Sequence, residues 1–330
     1  MAAMIKNVVL VVGGAGYIGS HMVRHLKDNG LALVVLDDLS SGYADTVADA
    51  ELVVGDVADK SLLHNIFARY PIDAVMHFAS FIQVGESVIN PAKYYDNNVS
   101  KTLVLLDAMV RYDVKNFIFS STAAIFGNPI SPVIDENHPK DPVNPYGRSK
   151  WMVEQIVLDY ELAYKLRFAC LRYFNAAGAH SDGSLGERHD PETHLIPLAI
   201  NAALGQGSPL KVFGADYPTR DGTCIRDYVH VCDLAAAHLL ALERLREGGD
   251  SICVNLGNQS GYSVNEVLAM VTAVTGKPVP HEIVAKRAGD PAVLVADATL
   301  AKRILGWEPR YSELRDIVTH AVTWHSRSIN

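Results

Sequence analysis

The chain has 330 residues, 49% of them hydrophobic and 20% charged, enough apolar material for a sizeable core or two packed domains, which excludes a disordered polypeptide. Lys and Arg number 29 against 37 Asp and Glu, a net charge of −8, so a nucleic-acid partner held through its phosphate backbone is not expected. No run approaches the roughly 20 apolar residues that span a bilayer, and residues 1–7 lack the basic, apolar and small-residue order of a secretion signal, so a cytoplasmic protein with no membrane partner is expected.

Short β-branched runs at residues 7–12, 32–37, 51–55, 72–78, 116–120 and 167–173 read as six successive strands. Between them, segments such as 18–29 and 91–112 carry apolar residues at three- and four-residue spacing, the pattern of crossover helices. Strands alternating with helices predict an α/β fold with a doubly wound parallel sheet covered on both faces. After Asn175 the chain turns small and polar, and a loop-rich stretch runs to Gly222. A strand and an Ala/Leu-rich helix between Asp227 and Gly249 look like a return to the first domain. The expected partition is therefore 1–177 with about 222–250, interleaved with a smaller α/β domain of 178–221 and 251–330. Cys170, Cys224, Cys232 and Cys253 show no zinc spacing, so reduced thiols and no metal site are expected.

The first strand runs directly into Gly13-Gly-Ala-Gly16-Tyr17-Ile18-Gly19, which opens the first helix. Glycines there permit a tight turn and let a pyrophosphate reach backbone N–H groups at a helix N-terminus, where the dipole favours negative charge. Asp37 ends the second strand, where a carboxylate can accept hydrogen bonds from both adenosine ribose hydroxyls and repel a 2′-phosphate, favouring NAD over NADP. Asp38 beside it is expected at the cofactor as well, although Asp37-Asp38 also suits a simple loop cap. Asp56 and Val57, after the third strand, are placed to reach the adenine.

Tyr146-Gly-Arg-Ser-Lys150 puts a phenol and an amine four residues apart, on one face of a helix. Ser120-Ser-Thr122 ends the fifth strand, at the sheet edge where ligands bind in this architecture. A phenol has an unperturbed pKa near 10, so a tyrosine base needs positive charge beside it, which Lys150 and an oxidised nicotinamide can supply. By itself the Tyr-x-x-x-Lys spacing also fits an amphipathic helix with a packed Tyr and a solvated Lys. The chain order of glycine loop, sheet and Ser/Thr strand end favours the catalytic reading.

With these residues, and with His77-Phe-Ala79, Val84-Gly-Glu-Ser87, Arg172-Tyr-Phe-Asn-Ala176, Thr193-His-Leu-Ile-Pro197, the run from Asp221 to His230 and Arg287-Ala-Gly-Asp290, the chain resembles the extended short-chain dehydrogenase/reductase family, in its nucleotide-sugar 4-epimerase branch. The resemblance covers nearly the whole chain and implies a Rossmann-type nucleotide-binding domain with a UDP-sugar-binding domain. It implies an isomerase that inverts C4 of a UDP-hexose with tightly bound NAD. Tyr146 is then the base at the 4-hydroxyl, assisted by Thr122 and Lys150. By the same resemblance Phe78, Ala79, Ser80, Asn98, Ser120, Tyr173 and Phe174 line the nicotinamide. His194, Leu195, Asn175, Val212, Phe213, Arg226, Arg287 and Asp290 hold the UDP moiety, and Leu294 borders the sugar. A leucine at that last place, where some members carry a bulky aromatic residue, implies some turnover of N-acetylated UDP-sugars. The family also implies a homodimer, packed through helices beginning near Pro91 and Asn144.

Val12, Ile82 and Phe126 depart from residues common in the family, and Ile82 takes the place of a lysine near the cofactor in some members. Dehydratases and decarboxylases of the superfamily need an acidic residue just after the strand-end Thr, where this chain has Ala123 and Ala124, which cannot transfer a proton. A catalytically silent NAD-binding sensor is the other reading, and it predicts loss of the Tyr/Lys pair.

Overall fold

The computed structural model describes residues 7–287 and 290–327. The chain folds as two compact units, one of Met1–Gly127, Pro139–Arg172 and Ala235–Val254, the other of Asn128–His138, Tyr173–Leu234 and Asn255–Asn330.

The first unit is built on a seven-stranded sheet in the order Ile252–Leu256, Arg167–Tyr173, Asn116–Thr122, Ile72–His77, Val8–Val12, Ala32–Asp37, Glu51–Val54. The pairings from Asn116–Thr122 across to Glu51–Val54 are parallel. Val8–Val12 and Asn116–Thr122 are buried at every position, as expected of strands covered on both faces. All six strands expected from the sequence are present, and the fifth runs on to Thr122. Tyr17–Asp28 buries Met22, Val23 and Leu26 on one side and ends at Asn29, followed by Gly30 at φ +72°. Val8–Val12 lies between Ala32–Asp37 and Ile72–His77, so the chain builds outward from it first to one side and then to the other. The carboxyl ends of Val8–Val12 and Ile72–His77 therefore form the switch point where ligands bind in such sheets.

The second unit carries a five-stranded sheet ordered Gly261–Ser263, Ile225–His230, Val293–Ala296, Val133–Ile134, with Asn175–Ala177 also pairing with Ile225–His230. Leu210–Phe213 and His281–Val284 make a separate parallel ribbon. Helices Leu195–Leu204, Val264–Thr275 and Leu314–Arg327 contribute Ile196, Ile200, Val267, Val271, Ile317 and Val318 to a common core. The strand Ile225–His230 does not join the first unit, contrary to the expectation for 222–250. Its partners, on both edges, all belong to the second unit, and only the chain from Ala235 returns to the first. None of the four cysteines is joined in a disulfide, and no helix among the described residues is long and apolar enough to cross a membrane.

Candidate active site

The glycine loop sits at the switch point. Gly13 has φ +78°, its N–H donates to Leu36 O at 2.8 Å, and a Cβ there would lie 2.4 Å from Ala79 N. The segment after Ile72–His77 closes on the same place, with Phe78 N and Ala79 N donating to Val12 O at 2.7 and 3.2 Å. A Cβ on Gly19 would meet Gly13 O at 2.1 Å, so the helix packs on its own entry loop only with glycine there. Gly16 is different. It begins the helix without a side-chain cap, and a Cβ would meet nothing nearer than 3.6 Å. The protein's own packing does not demand glycine at Gly16; a bare surface there suits the approach of a pyrophosphate to the first helical turn, around Tyr17 and Ile18.

Asp37 is buried and ties this loop to the second strand, Oδ2 accepting from Ala15 N at 2.9 Å and Oδ1 from Leu39 N at 2.8 Å. Burial raises its pKa, and the two backbone donors oppose that. Each carboxylate oxygen has a second lone pair, which leaves acceptor capacity for ribose hydroxyls. Asp38 instead caps its own loop, accepting from Ser40 N at 2.9 Å and Ser40 Oγ at 2.6 Å. Asp56 pairs with Lys101 at 2.6 Å, and the Val57 side chain belongs to the hydrophobic core. Glycine cradle, helix N-terminus and strand-end carboxylate together fit a dinucleotide without a 2′-phosphate.

The helix Pro145–Tyr164 starts on a firm cap: Asn144 Oδ1 accepts from Gly147 N at 2.8 Å, and Pro145 stands at the first helical position. A Cβ on Gly147 would lie 2.5 Å from Ala124 O, so only glycine lets this helix approach the turn that follows Thr122. That approach brings the Tyr146 phenol into hydrogen bonding with Thr122. Thr122 Oγ1 also accepts from Ala124 N at 3.1 Å, which fixes its rotamer. Burial raises the Tyr146 pKa above 10, and the Thr122 hydroxyl acts in the opposite sense. Lys150, one turn along, is 2% exposed; its Nζ donates to Ser80 Oγ at 2.7 Å and Ser120 O at 2.8 Å and lies 4.7 Å from the centre of the Phe119 ring. Burial pulls its pKa down to about 7. Nearby, the Phe78 ring lies 5.0 Å from His238.

Three residues around this centre, Glu154, Arg172 and Ser149, were given no role in the sequence reading. Glu154, one turn beyond Lys150, accepts from Ser121 Oγ at 2.5 Å and grips Arg172 bidentately at 2.6–3.2 Å, with Glu154 1% and Arg172 4% exposed. Ser149 links the catalytic helix to Asn98, whose Nδ2 reaches Ser149 Oγ at 3.0 Å and Phe81 O at 3.1 Å while Oδ1 accepts from Phe81 N at 2.9 Å. Asn98 thus has its amide engaged by the protein itself, on a π-helical turn, Asp96–Ser100, that re-aims the side chain. It braces the 78–81 segment. The only sequence signal was the 3.6-residue spacing of 146, 149–150 and 153–154.

In the second unit Arg226 forms an ion pair with Asp290 and donates to Ile225 O at 2.8 Å. Leu294 is its register partner on the neighbouring strand. Asn175 Nδ2 donates to Asp227 O at 2.8 Å, and the Arg287 guanidinium stacks 3.8 Å from the centre of the Phe213 ring. Arg226, Asp290 and Leu294 are therefore gathered at one sheet position. Val212 points into the core at 2% exposure, leaving only its backbone to a ligand, and Leu195 packs against that core. His194 Nδ1 is hydrogen bonded to Glu187. Tyr173 and Phe174 are half-buried at the end of Arg167–Tyr173. Asp227, on the opposite face of the strand from Arg226, escaped notice as well: its carboxylate accepts from Asn258 N, Gln259 N and Ala296 N at 2.9–3.2 Å, and burial raises its pKa to about 6.

Comparison with known proteins agrees with this layout. The chain is 50% identical over 317 residues to a UDP-glucose 4-epimerase of Halalkalibacterium halodurans, covering 96% of this chain and 95% of the relative. A UDP-glucose 4-epimerase from Brucella ovis, solved in complex with NAD, superposes with a TM-score of 0.94 at 50% identity over 96% of this chain and 98% of its own. A second UDP-glucose 4-epimerase crystal structure superposes with a TM-score of 0.96 at 48% identity, over 98% and 99% of the two chains. Residues 9–257 match the model of the NAD dependent epimerase/dehydratase family, and with the cradle, the strand-end acid and the Thr–Tyr–Lys cluster in place, the chain belongs to that family.

Proposed function

We propose that this chain is an NAD-dependent isomerase that inverts C4 of a UDP-hexose, interconverting UDP-glucose and UDP-galactose through a transient 4-keto sugar. The observation that carries the reading is the Tyr146–Thr122 hydrogen bond, one helical turn from a buried Lys150, at a strand end followed by Ala123 and Ala124. Those alanines remove the acid that a dehydratase or decarboxylase requires, and the intact cluster argues against a silent sensor.

Gly13, Gly16 and Gly19 with the first helical turn receive the pyrophosphate, and Asp37 receives the adenosine ribose. Bound NAD supplies a reversible hydride acceptor for the sugar carbon. Tyr146 takes the proton of the C4 hydroxyl and returns it to the carbonyl oxygen, and Thr122 orients that oxygen by hydrogen bonding. Burial raises the Tyr146 pKa and Thr122 opposes it; Lys150, in its protonated form, would add a positive charge that favours the phenolate. Ser80 and Ser120 hold the ammonium by neutral dipoles, so its charge is not cancelled by a carboxylate. In the second unit Arg226 and Arg287 grip the UDP phosphates, with Asp290, Asn175 and Phe213 completing the nucleotide subsite. Leu294 leaves room beside the sugar for an N-acetyl group. Exposed Met152, Leu158 and Leu162 on the helix Pro145–Tyr164 support a homodimer packed through that face, and the cytoplasm is the expected compartment.

The test is incubation with UDP-galactose and no added reductant, followed by chromatographic separation of UDP-glucose. Equilibration without net NADH supports the reading, and no interconversion by protein that retains NAD would overturn it. Turnover of UDP-N-acetylglucosamine in the same assay decides the role given to Leu294.

A further inference from the structure

Sharing His194 with the residues expected to hold the nucleotide, the second unit gathers two carboxylates and two imidazoles around one point. Glu187, His189, Glu192 and His194 each offer one donor atom, and the four atoms lie within 4.8 Å of one another. They come from one short segment that runs into the helix Leu195–Leu204. His189 Nδ1 is 3.1 Å from Glu187 Oε1 and 3.6 Å from Glu192 Oε1, and His194 Nδ1 is 3.9 Å from the same Glu192 oxygen and in close hydrogen-bond contact with Glu187 Oε1. A tetrahedron with metal–ligand bonds near 2.1 Å has edges of about 3.4 Å. Of these four edges, the three longer ones bracket that value and the His194–Glu187 contact must widen. Glu187 is 3% exposed, a burial that a carboxylate accepts only with a counter-charge, which the two imidazoles supply in the ion-free chain and a divalent cation would replace. The outer contacts hold the donors in place. Glu192 Oε1 accepts from Thr193 N and His194 N at 2.7 and 2.9 Å, and Trp324 Nε1 donates to Glu187 O at 2.9 Å.

From this geometry we infer that Glu187, His189, Glu192 and His194 form a binding site for one divalent first-row cation of the zinc class. Two imidazoles and two carboxylates suit zinc, and with no thiolate among them the site is not the cysteine-rich kind sought through sequence spacing. As the ion enters, each imidazole nitrogen offers its lone pair to the metal and any proton on it passes to solvent. The two carboxylate charges match the ion's, and no oxidation state changes. The site's role is structural, pinning the segment 187–194 to the start of Leu195–Leu204 and to the indole of Trp324.

The experiment uses the full-length protein with its bound nucleotide, stripped of metal by a chelator and titrated with Co²⁺. The expected result is uptake of one ion per chain with the intense visible absorption of four-coordinate Co(II), bleached by added Zn²⁺. His189→Gln and Glu192→Gln should each weaken uptake by more than the about 10–100-fold that outer-shell changes cost. His189→Cys should keep the site and add a thiolate-to-cobalt charge-transfer band, which distinguishes a lost ligand from a damaged fold. The inference is overturned if the chain takes up no stoichiometric Co²⁺, or if His189→Gln and Glu192→Gln bind it as well as the unaltered chain.

Discussion

Two buried cations in the first unit show how the same physical cost serves opposite ends. Lys150 and Arg172 are 2% and 4% exposed. Lys150 meets only neutral oxygens, from Ser80 and Ser120, and burial pulls its pKa down to about 7. Burial alone would likewise lower Arg172, but the bidentate Glu154 carboxylate holds it above its ordinary value. Arg172 with Glu154 and Ser121 is a closed brace beneath the strand end that carries Thr122. Among the described residues Lys150 has no carboxylate in direct contact, its Nζ being held by Ser80 and Ser120, which leaves it available to a phenol and a cofactor. The helix Pro145–Tyr164 serves both, since Lys150 and Glu154 stand one turn apart on the same face.

That contrast can be broken at either end. If the working half is read correctly, Tyr146→Phe lowers the rate of interconversion by about 10²–10⁴-fold while released NAD stays stoichiometric, both measurable on one preparation. On the bracing half, Glu154→Ala strands the Arg172 charge and should cost about 3–5 kcal/mol in denaturant unfolding. A loss below about 1 kcal/mol would show that the ion pair is not the brace proposed. Lys150→Met should do the reverse, abolishing turnover without loss of stability near neutral pH.

The pH dependence sharpens this further. A lysine whose folded-state pKa is lowered to about 7 binds fewer protons in the folded than in the unfolded chain between that value and the 10.5 of an ordinary lysine. Nucleotide-free wild type should therefore gain stability on Lys150→Met as pH rises through this window, by up to about 1.4 kcal/mol per pH unit, with no slope below it. Parallel denaturation curves across the window would count against a buried ammonium. The smallest contrast repeats the theme in two adjacent carboxylates. Asp37→Ala leaves buried Ala15 N without its acceptor, so it should cost about 1–3 kcal/mol and loosen NAD on dialysis. The more exposed Asp38→Ala should change stability by less than about 0.5 kcal/mol.

Much of the site was legible because its parts are local. A strand, a glycine loop and a helix are contiguous in the chain, so Gly13, Gly16, Gly19 and Asp37 announce their context, and Tyr146 and Lys150 share a helix face by spacing alone. The six strands of the main sheet were equally plain, since strands buried on both faces are continuous apolar runs. What depends on partners far away in the chain was not legible. Only the folded chain shows that Gly147 admits the helix to the Ala124 carbonyl, or that Asn98 is consumed in bracing Phe81. The strand Ile225–His230 looks like any other in its residues, and hydrogen bonding to three second-unit strands decides where it belongs. The Glu187, His189, Glu192 and His194 cluster is local in sequence, but its loop has no regular period, so the convergence of four donors on one point is set by tertiary packing alone.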